Sequence, residues 1–380
     1  MDISFKLDPE VLIGPDTINR AGTFCARSYD RVLVATEQVL YENRRIERLT
    51  GILEEAGVEA IVFDEIPAQA TAEVAEAAAS LARGARCSAI IGFGGLKTQA
   101  IARLTAILTS SNMPVFDLLD GHTPEDATVP YVAVPTTSRD PFLFSNYFIA
   151  IDPRDRSVKM VKSPEKLCAA AFIDGGLSES LSGSFAATTA FDGFCVAVEA
   201  YCSSRSSFFS DALLEHAITI YSRMMDSYMD NRIFDLVGNA TNAGFLIALG
   251  NSLSAPGIGT ALAYAINGRF PVAKSWCSTV LLPYILERLV NARPEKLARA
   301  AALMGEPVDG LSVSDSANLA VENIRRRMGV LKVPARLKEF NLSLDKLVPV
   351  AEAARNLEFV AFSPWTVSSE DAFDILKQAF

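Results

Sequence analysis

The segment Gly92-Phe93-Gly94-Gly95 is where residue types and spacing first suggest chemistry in this chain. It follows the apolar run 88–91 and precedes a helical pattern that continues to about residue 108. Glycines at such a turn let backbone approach a pyrophosphate, and the helix N-terminus adds free N–H groups and a favourable dipole. The same glycines also allow a strand and a helix to pack closely, so a ligand role and a steric role both stand. Glu37, just past the apolar run 31–35, is a second candidate. An acidic side chain there hydrogen-bonds a ribose diol and repels a 2′-phosphate, favouring NAD over NADP; the plain alternative is a solvated loop glutamate. Only two histidines, His122 and His216, occur in 380 residues. A histidine-ligated metal centre needs two or three converging on one point, so none is expected. His122 lies in a turn-like stretch and His216 in a helical one, and both read as structural.

These residues need a scaffold. The runs 31–35, 60–63, 88–91 and 131–134 are predominantly apolar and separated by helical patterns at 42–56, 71–83 and up to 108. That alternation predicts a parallel sheet covered on both faces. Segments 146–151 and 157–161 flank Asp152-Pro153-Arg154-Asp155 and read as a hairpin. Beyond about residue 180 apolar residues recur at helical spacing to the end. The expectation is an α/β, Rossmann-like nucleotide-binding domain over residues 1–180, an all-α domain over 181–380, and a ligand cleft between them.

Composition narrows the function classes. Half the residues are hydrophobic and 21% are charged, which excludes disorder. The net charge of -10 disfavours nucleic acid as a partner, and Arg325-Arg326-Arg327 reads as the polar face of a helix. Six cysteines without a C-x-x-C pair suit reduced thiols in a cytoplasmic core. No basic-then-apolar leader opens the sequence and no run approaches the ~20 apolar residues of a membrane span. A soluble cytoplasmic protein with no membrane partner is expected.

Several short motifs follow one another in a characteristic order. They are Val11-Leu12-Ile13-Gly14-Pro15, Gly92 to Ala100, Pro135-Thr136-Thr137, Asp152 to Lys159, Phe191-Asp192-Gly193 with Glu199-Ala200-Tyr201, Gly268-Arg269-Phe270, Leu282-Pro283 and Ser363-Pro364-Trp365. In this order the chain resembles the iron-containing (group III) alcohol dehydrogenase family, which includes glycerol dehydrogenase-like enzymes and is related to dehydroquinate synthase. The resemblance implies a dehydroquinate synthase-like architecture and NAD(P)-linked interconversion of a small alcohol and a carbonyl compound, in a homo-oligomer. Together with Glu37 and the turn glycines Gly92, Gly94 and Gly95, it gives Thr136, Thr137 and Lys159 as the expected cofactor contacts.

Family members hold a divalent metal with one aspartate and three histidines. By the resemblance these positions are Asp192, Val196, Thr260 and Lys274, and a further histidine near the substrate falls on Tyr264. No metal is expected from that set. The cofactor loop after Thr137 reads Arg139-Asp140-Pro141-Phe142-Leu143 in place of a glycine-rich stretch, and Pro141 removes an N–H. Phe93, Gly95, Thr98 and Trp365 also depart from the family pattern. One reading is a metal-independent dehydrogenase: Lys274, paired with Asp192, replaces the cation and favours proton donation by Tyr264, so that Asp192, Tyr264 and Lys274 are the catalytic candidates. A second is a non-hydride reaction on a retained NAD or phosphate-bearing ligand. A third is a catalytically inactive pseudoenzyme acting in binding or assembly, with Lys274 and Asp192 a leftover ion pair and Tyr264 packing only. Cys195 and Cys277 read as buried apolar thiols.

Overall fold

The computed structural model describes residues 5–42, 44–111, 113–124, 129–137, 139–178, 183–230 and 236–380. The chain divides into two compact units, Met1–Ser180 and Leu181–Phe380.

The first unit carries β1 (Glu10–Ile13), β2 (Arg31–Thr36), β3 (Glu59–Phe63), β4 (Ala89–Gly94), β5 (Tyr131–Pro135), β6 (Tyr147–Ile151), β7 (Val158–Lys162) and β8 (Cys168–Ile173). Its helices are α1 (Ala21–Cys25), α2 (Gln38–Glu42), α3 (Arg45–Glu55), α4 (Glu73–Gly84), α5 (Leu96–Ser110) and α6 (Val115–Leu119). Six strands form one parallel sheet in the order β1-β8-β5-β4-β2-β3, and β6 and β7 pair separately as an antiparallel hairpin.

The apolar runs become central strands because both faces are covered. Val32 and Val34 of β2 join Ile46, Leu49 and Leu53 of α3 in one core, together with Ile91, Phe93, Val132 and Val134. The alternate residues Leu33 and Ala35 are equally buried. On α4 the buried stripe is Ala75, Ala78, Ala79 and Ala82, small side chains that let it lie close to α5. The helix expected over about 42–56 is α3, and the short α2 precedes it. Strand β8 is a feature the apolar pattern does not announce. Its sequence, CAAAFI, is rich in alanine, a weak strand former, and it is extended because β1 and β5 flank it with parallel pairing.

The second unit is built from α7 (Gly183–Cys202), α8 (Phe208–Met229), α9 (Leu236–Leu253), α10 (Ile258–Arg269), α11 (Lys274–Ala292), α12 (Pro294–Leu303), α13 (Val313–Leu331), α14 (Val348–Arg355) and α15 (Ser369–Ala379). Helix α7 is buried almost throughout and packs on α8, α9 and α11. The α7–α8 crossing depends on Gly193, where a Cβ would sit 2.2 Å from Cζ of Tyr221. Among the described residues no single helix is long and apolar enough to cross a membrane.

Candidate functional site

The first cluster gathers at the end of β4. The strand runs through Gly94, and Gly95 is the N-cap of α5 in extended conformation. Gly92 and Gly94 answer to packing: a Cβ on Gly92 would lie 2.9 Å from Cβ of Ala102, and one on Gly94 2.6 Å from Oγ1 of Thr98. At Gly95 the nearest atom is 3.4 Å away, Oε1 of Glu37. The turn is pinned from inside the helix, because Nε2 of Gln99 donates to the carbonyls of Gly92 and Gly94, each at 2.9 Å. Gln99 in turn accepts from the Tyr131 hydroxyl.

Glu37 directly follows β2 and forms an isolated bridge with Glu65. Its Oε1 accepts from the backbone N–H of Gly95 at 3.0 Å and from the Thr98 hydroxyl at 2.6 Å. The negative carboxylate thus sits at the positive end of the α5 dipole. Half-buried Lys97 donates to the carbonyl of Ala68. Burial holds its ammonium below the ordinary lysine range, with the Glu37 charge opposing and the Arg139 charge adding to the effect.

Thr136 and Thr137 lie just past β5, and the Thr136 N–H donates to the Gly94 carbonyl at 3.0 Å. The Thr137 hydroxyl is buried without a hydrogen-bond partner, as is that of Thr36 at the end of β2. Lys159 lies on the β6–β7 hairpin opposite Ala150, where its charge helps hold the Asp120 carboxyl below the usual range after the larger effect of Arg154. The loop that replaces the glycine-rich stretch is anchored by an ion pair. Arg103 Nη2 lies 3.2 Å from Asp140 Oδ2, both nearly buried, and the guanidinium stands over the rings of Tyr131 and Phe148.

The second cluster lies within the helical unit. Asp192 on α7 is completely buried, and its Oδ1 accepts from Lys274 Nζ at 2.5 Å and from the Ser278 hydroxyl at 2.6 Å. Lys274 is the first residue of α11 and is only 4% exposed. An ammonium at a helix N-terminus faces the unfavourable end of the dipole, and Asp192 offsets that cost. The ammonium also stands 4.8 Å from the centroid of the half-buried Tyr264 ring on α10.

Beside this pair, Glu199 accepts from the backbone N–H groups of Gly259 and Thr260, at 2.6 and 2.9 Å, and from the Thr260 hydroxyl at 2.6 Å. Burial raises its carboxyl above the usual range, although these hydrogen bonds oppose the shift. Burial likewise pushes the Cys195 and Cys277 thiols well up.

Comparison with known proteins identifies the family. The profile described as iron-containing alcohol dehydrogenase matches residues 8–175, and that of the C-terminal domain of the Fe-containing alcohol dehydrogenase family matches residues 186–380. The chain belongs to the iron-containing alcohol dehydrogenase family. Long-chain-alcohol dehydrogenase 1 of Geobacillus thermodenitrificans is 26% identical over 92% of this chain and 89% of its own length. NAD-dependent methanol dehydrogenase of Bacillus methanolicus is 22% identical over 99% of both chains. The crystal structure of 1,3-propanediol oxidoreductase superposes with a TM-score of 0.93 over all of both chains at 22% identity, a likeness of fold.

The side chains at the positions that the sequence resemblance assigns to the metal ligands do not make a cation's ligand set here. Val196 offers no lone pair, the Thr260 hydroxyl is spent on Glu199, and Lys274 is itself a cation on Asp192. Among the described residues no three His, Cys, Asp or Glu side chains form a group suited to a metal. The positions expected for a cofactor fit better, since the buried Thr36 and Thr137 hydroxyls have no hydrogen-bond partner and a polar ligand is able to satisfy them.

Ser278 and Gln99 are the residues that reading the sequence misses. Ser278 lies one turn past Lys274, on the same face of α11, and that spacing is its only signal. Gln99 lies within the Gly92 to Ala100 segment but has no local signal of its own.

Proposed function

We propose that this protein is an NAD(P)-linked oxidoreductase that interconverts a small alcohol and its carbonyl compound without a catalytic metal. The observation that carries the reading is the buried Lys274–Asp192 pair at positions where, by the family resemblance, a cation is held. Lys274 supplies the positive charge that polarises the substrate oxygen. Tyr264 donates its hydroxyl proton to that oxygen as negative charge develops, and takes one back in the oxidation direction. Asp192, fixed by Ser278, keeps the ammonium in place. Glu37, Gly92, Gly94, Gly95, Thr136, Thr137 and Lys159 are the proposed cofactor contacts, and a bound nicotinamide supplies or removes the hydride. We place the enzyme in the cytoplasm as a homo-oligomer.

The test joins metal analysis of the purified protein to fluorescence titration with NADH and NADPH and to assays on short-chain aldehydes. Metal-free protein that binds NADH and reduces an aldehyde supports the reading. The Lys274→Met/Asp192→Asn variant, which removes both charges together, then loses turnover while keeping its fold. Turnover that appears only on adding a divalent metal sinks the proposal. The near-complete burial of both Lys274 and Asp192 favours one alternative, a catalytically inactive scaffold that binds or assembles. Absence of nucleotide binding at sub-millimolar concentration selects that alternative.

A further inference from the structure

The sheet order gives the α5 N-terminus a particular position. From β2 the chain passes outward to β3, then back across β2 to β4. The strand order therefore reverses between β2 and β4, and in such sheets ligands bind beyond the carboxyl ends of the strands at that point. Glu37 follows the first of these strands and Gly95 the second. Their side chain and backbone meet across the reversal.

We propose that Glu37 is a built-in occupant of an anion seat at the N-terminus of α5, so that the phosphate groups of an incoming nucleotide bind by displacing its carboxylate. This rests on the nucleotide-binding reading above and adds what limits that binding. Three observations support it. The donors that Glu37 engages, the Gly95 N–H at 3.0 Å and the Thr98 hydroxyl at 2.6 Å, are of the kind that capture an anion at a helix N-terminus. A second acceptor group is called for nearby. The Thr137 hydroxyl is buried, with the residue 9% exposed, and has no hydrogen-bond partner. It lies 3.8 Å from where a Cβ on Gly95 would stand. Glu37 leaves that hydroxyl unsatisfied, whereas a phosphate, with more acceptor oxygens, has one to spare for it. The charges point the same way. Lys97 lies where the charges of Glu37 and Arg139 are both felt, and Glu37 is the anion of that group. While Glu37 is in place, an incoming phosphate meets a like charge and donors already engaged.

The experiment is a calorimetric titration of the full chain with inorganic pyrophosphate and, separately, with NADH, using wild type, Glu37→Gln and Glu37→Asp. Glu37→Gln removes the charge and keeps the shape. It is expected to tighten pyrophosphate binding about tenfold, the scale of one charge at a helix terminus. Glu37→Asp keeps the charge but shortens its reach, and falls between. Pyrophosphate binding that is unchanged or weaker in Glu37→Gln, or undetectable in both variants, overturns the proposal. Tightened pyrophosphate binding with no NADH binding in any form upholds the occupied seat and sinks the nicotinamide reading. If Glu37→Gln fails to fold, equal pyrophosphate affinity in Glu37→Asp and wild type overturns the proposal on its own.

Discussion

Ser278 stands one helical turn beyond Lys274 on α11, and both side chains converge on the same oxygen, Oδ1 of Asp192. A buried carboxylate with two donors tolerates the loss of the neutral one far better than the loss of the charged one. Removing one partner of a buried ion pair costs about 3–5 kcal/mol, because the other charge is left uncompensated. Lys274→Met alone is therefore expected to lose that much in a urea melt. Lys274→Met combined with Asp192→Asn is expected to recover most of it. Equal losses in the single and double variants contradict strong coupling.

The glycines of the β4–α5 turn separate by role. Gly92→Ala and Gly94→Ala place a methyl group at 2.9 and 2.6 Å from their neighbours, an overpacking expected to cost about 1–3 kcal/mol each. Gly95→Ala meets nothing nearer than 3.4 Å and is expected to fold near wild type. Denaturation midpoints check the order, and a Gly95→Ala loss as large as the others refutes it.

The thiols are expected to be nearly inert in the folded protein. Burial pushes Cys87 up to about 11 and Cys25, Cys168 and Cys202 up to about 12. At pH 8 a thiol of pKa 11 is about one part in a thousand thiolate. Ellman's reagent is then expected to detect almost no thiol in native protein and all six in guanidinium. Rapid stoichiometric reaction of any native thiol speaks against the burial described.

The last helix gives a pH-dependent prediction. The Ser368 hydroxyl and backbone N–H both donate to Asp371 and hold its carboxyl below the ordinary 3.8. A carboxyl lowered by folding stabilises the fold above its unfolded pKa, and that contribution is lost as the pH falls through the lowered value. Asp371→Asn is therefore expected to melt below wild type at pH 7, with the gap closing below about pH 4. A gap independent of pH rules out the charged cap.

Rebuilding the metal position that the family resemblance implies offers a test by gain of function. Val196→His, Thr260→His and Lys274→His together, with Asp192 retained, are expected to bind about one Zn²⁺ per chain. Metal analysis against wild type checks this. Equal metal content in the two forms denies that these side chains converge.

Legibility in the sequence follows burial. The runs at 31–35 and 131–134 announce β2 and β5 because strands covered on both faces need almost every side chain apolar. β8 hides, since its alanines carry almost no strand preference and its conformation comes from its neighbours. The Asp192–Lys274 contact spans 82 residues and is legible only through the family resemblance, never through local spacing. Glu37 is legible as an acidic group after β2, but its turn onto Gly95 depends on a strand reversal that no local pattern encodes.

The pairing of β1 with β8 also orders events in time. Val11 lies beside Ala171, 171 − 11 = 160 residues apart, and β8 fits between β1 and β5. Loop closure on that scale is slow. Until residue 173 has left the ribosome, β5 presents an open edge and β1 has no partner, so the nascent chain lacks the strand that joins them. Open edges of this kind invite pairing with other chains. Translation pausing or chaperone capture over the stretch between β5 and β8 is therefore expected to govern the yield of folded protein more than any change in the finished core.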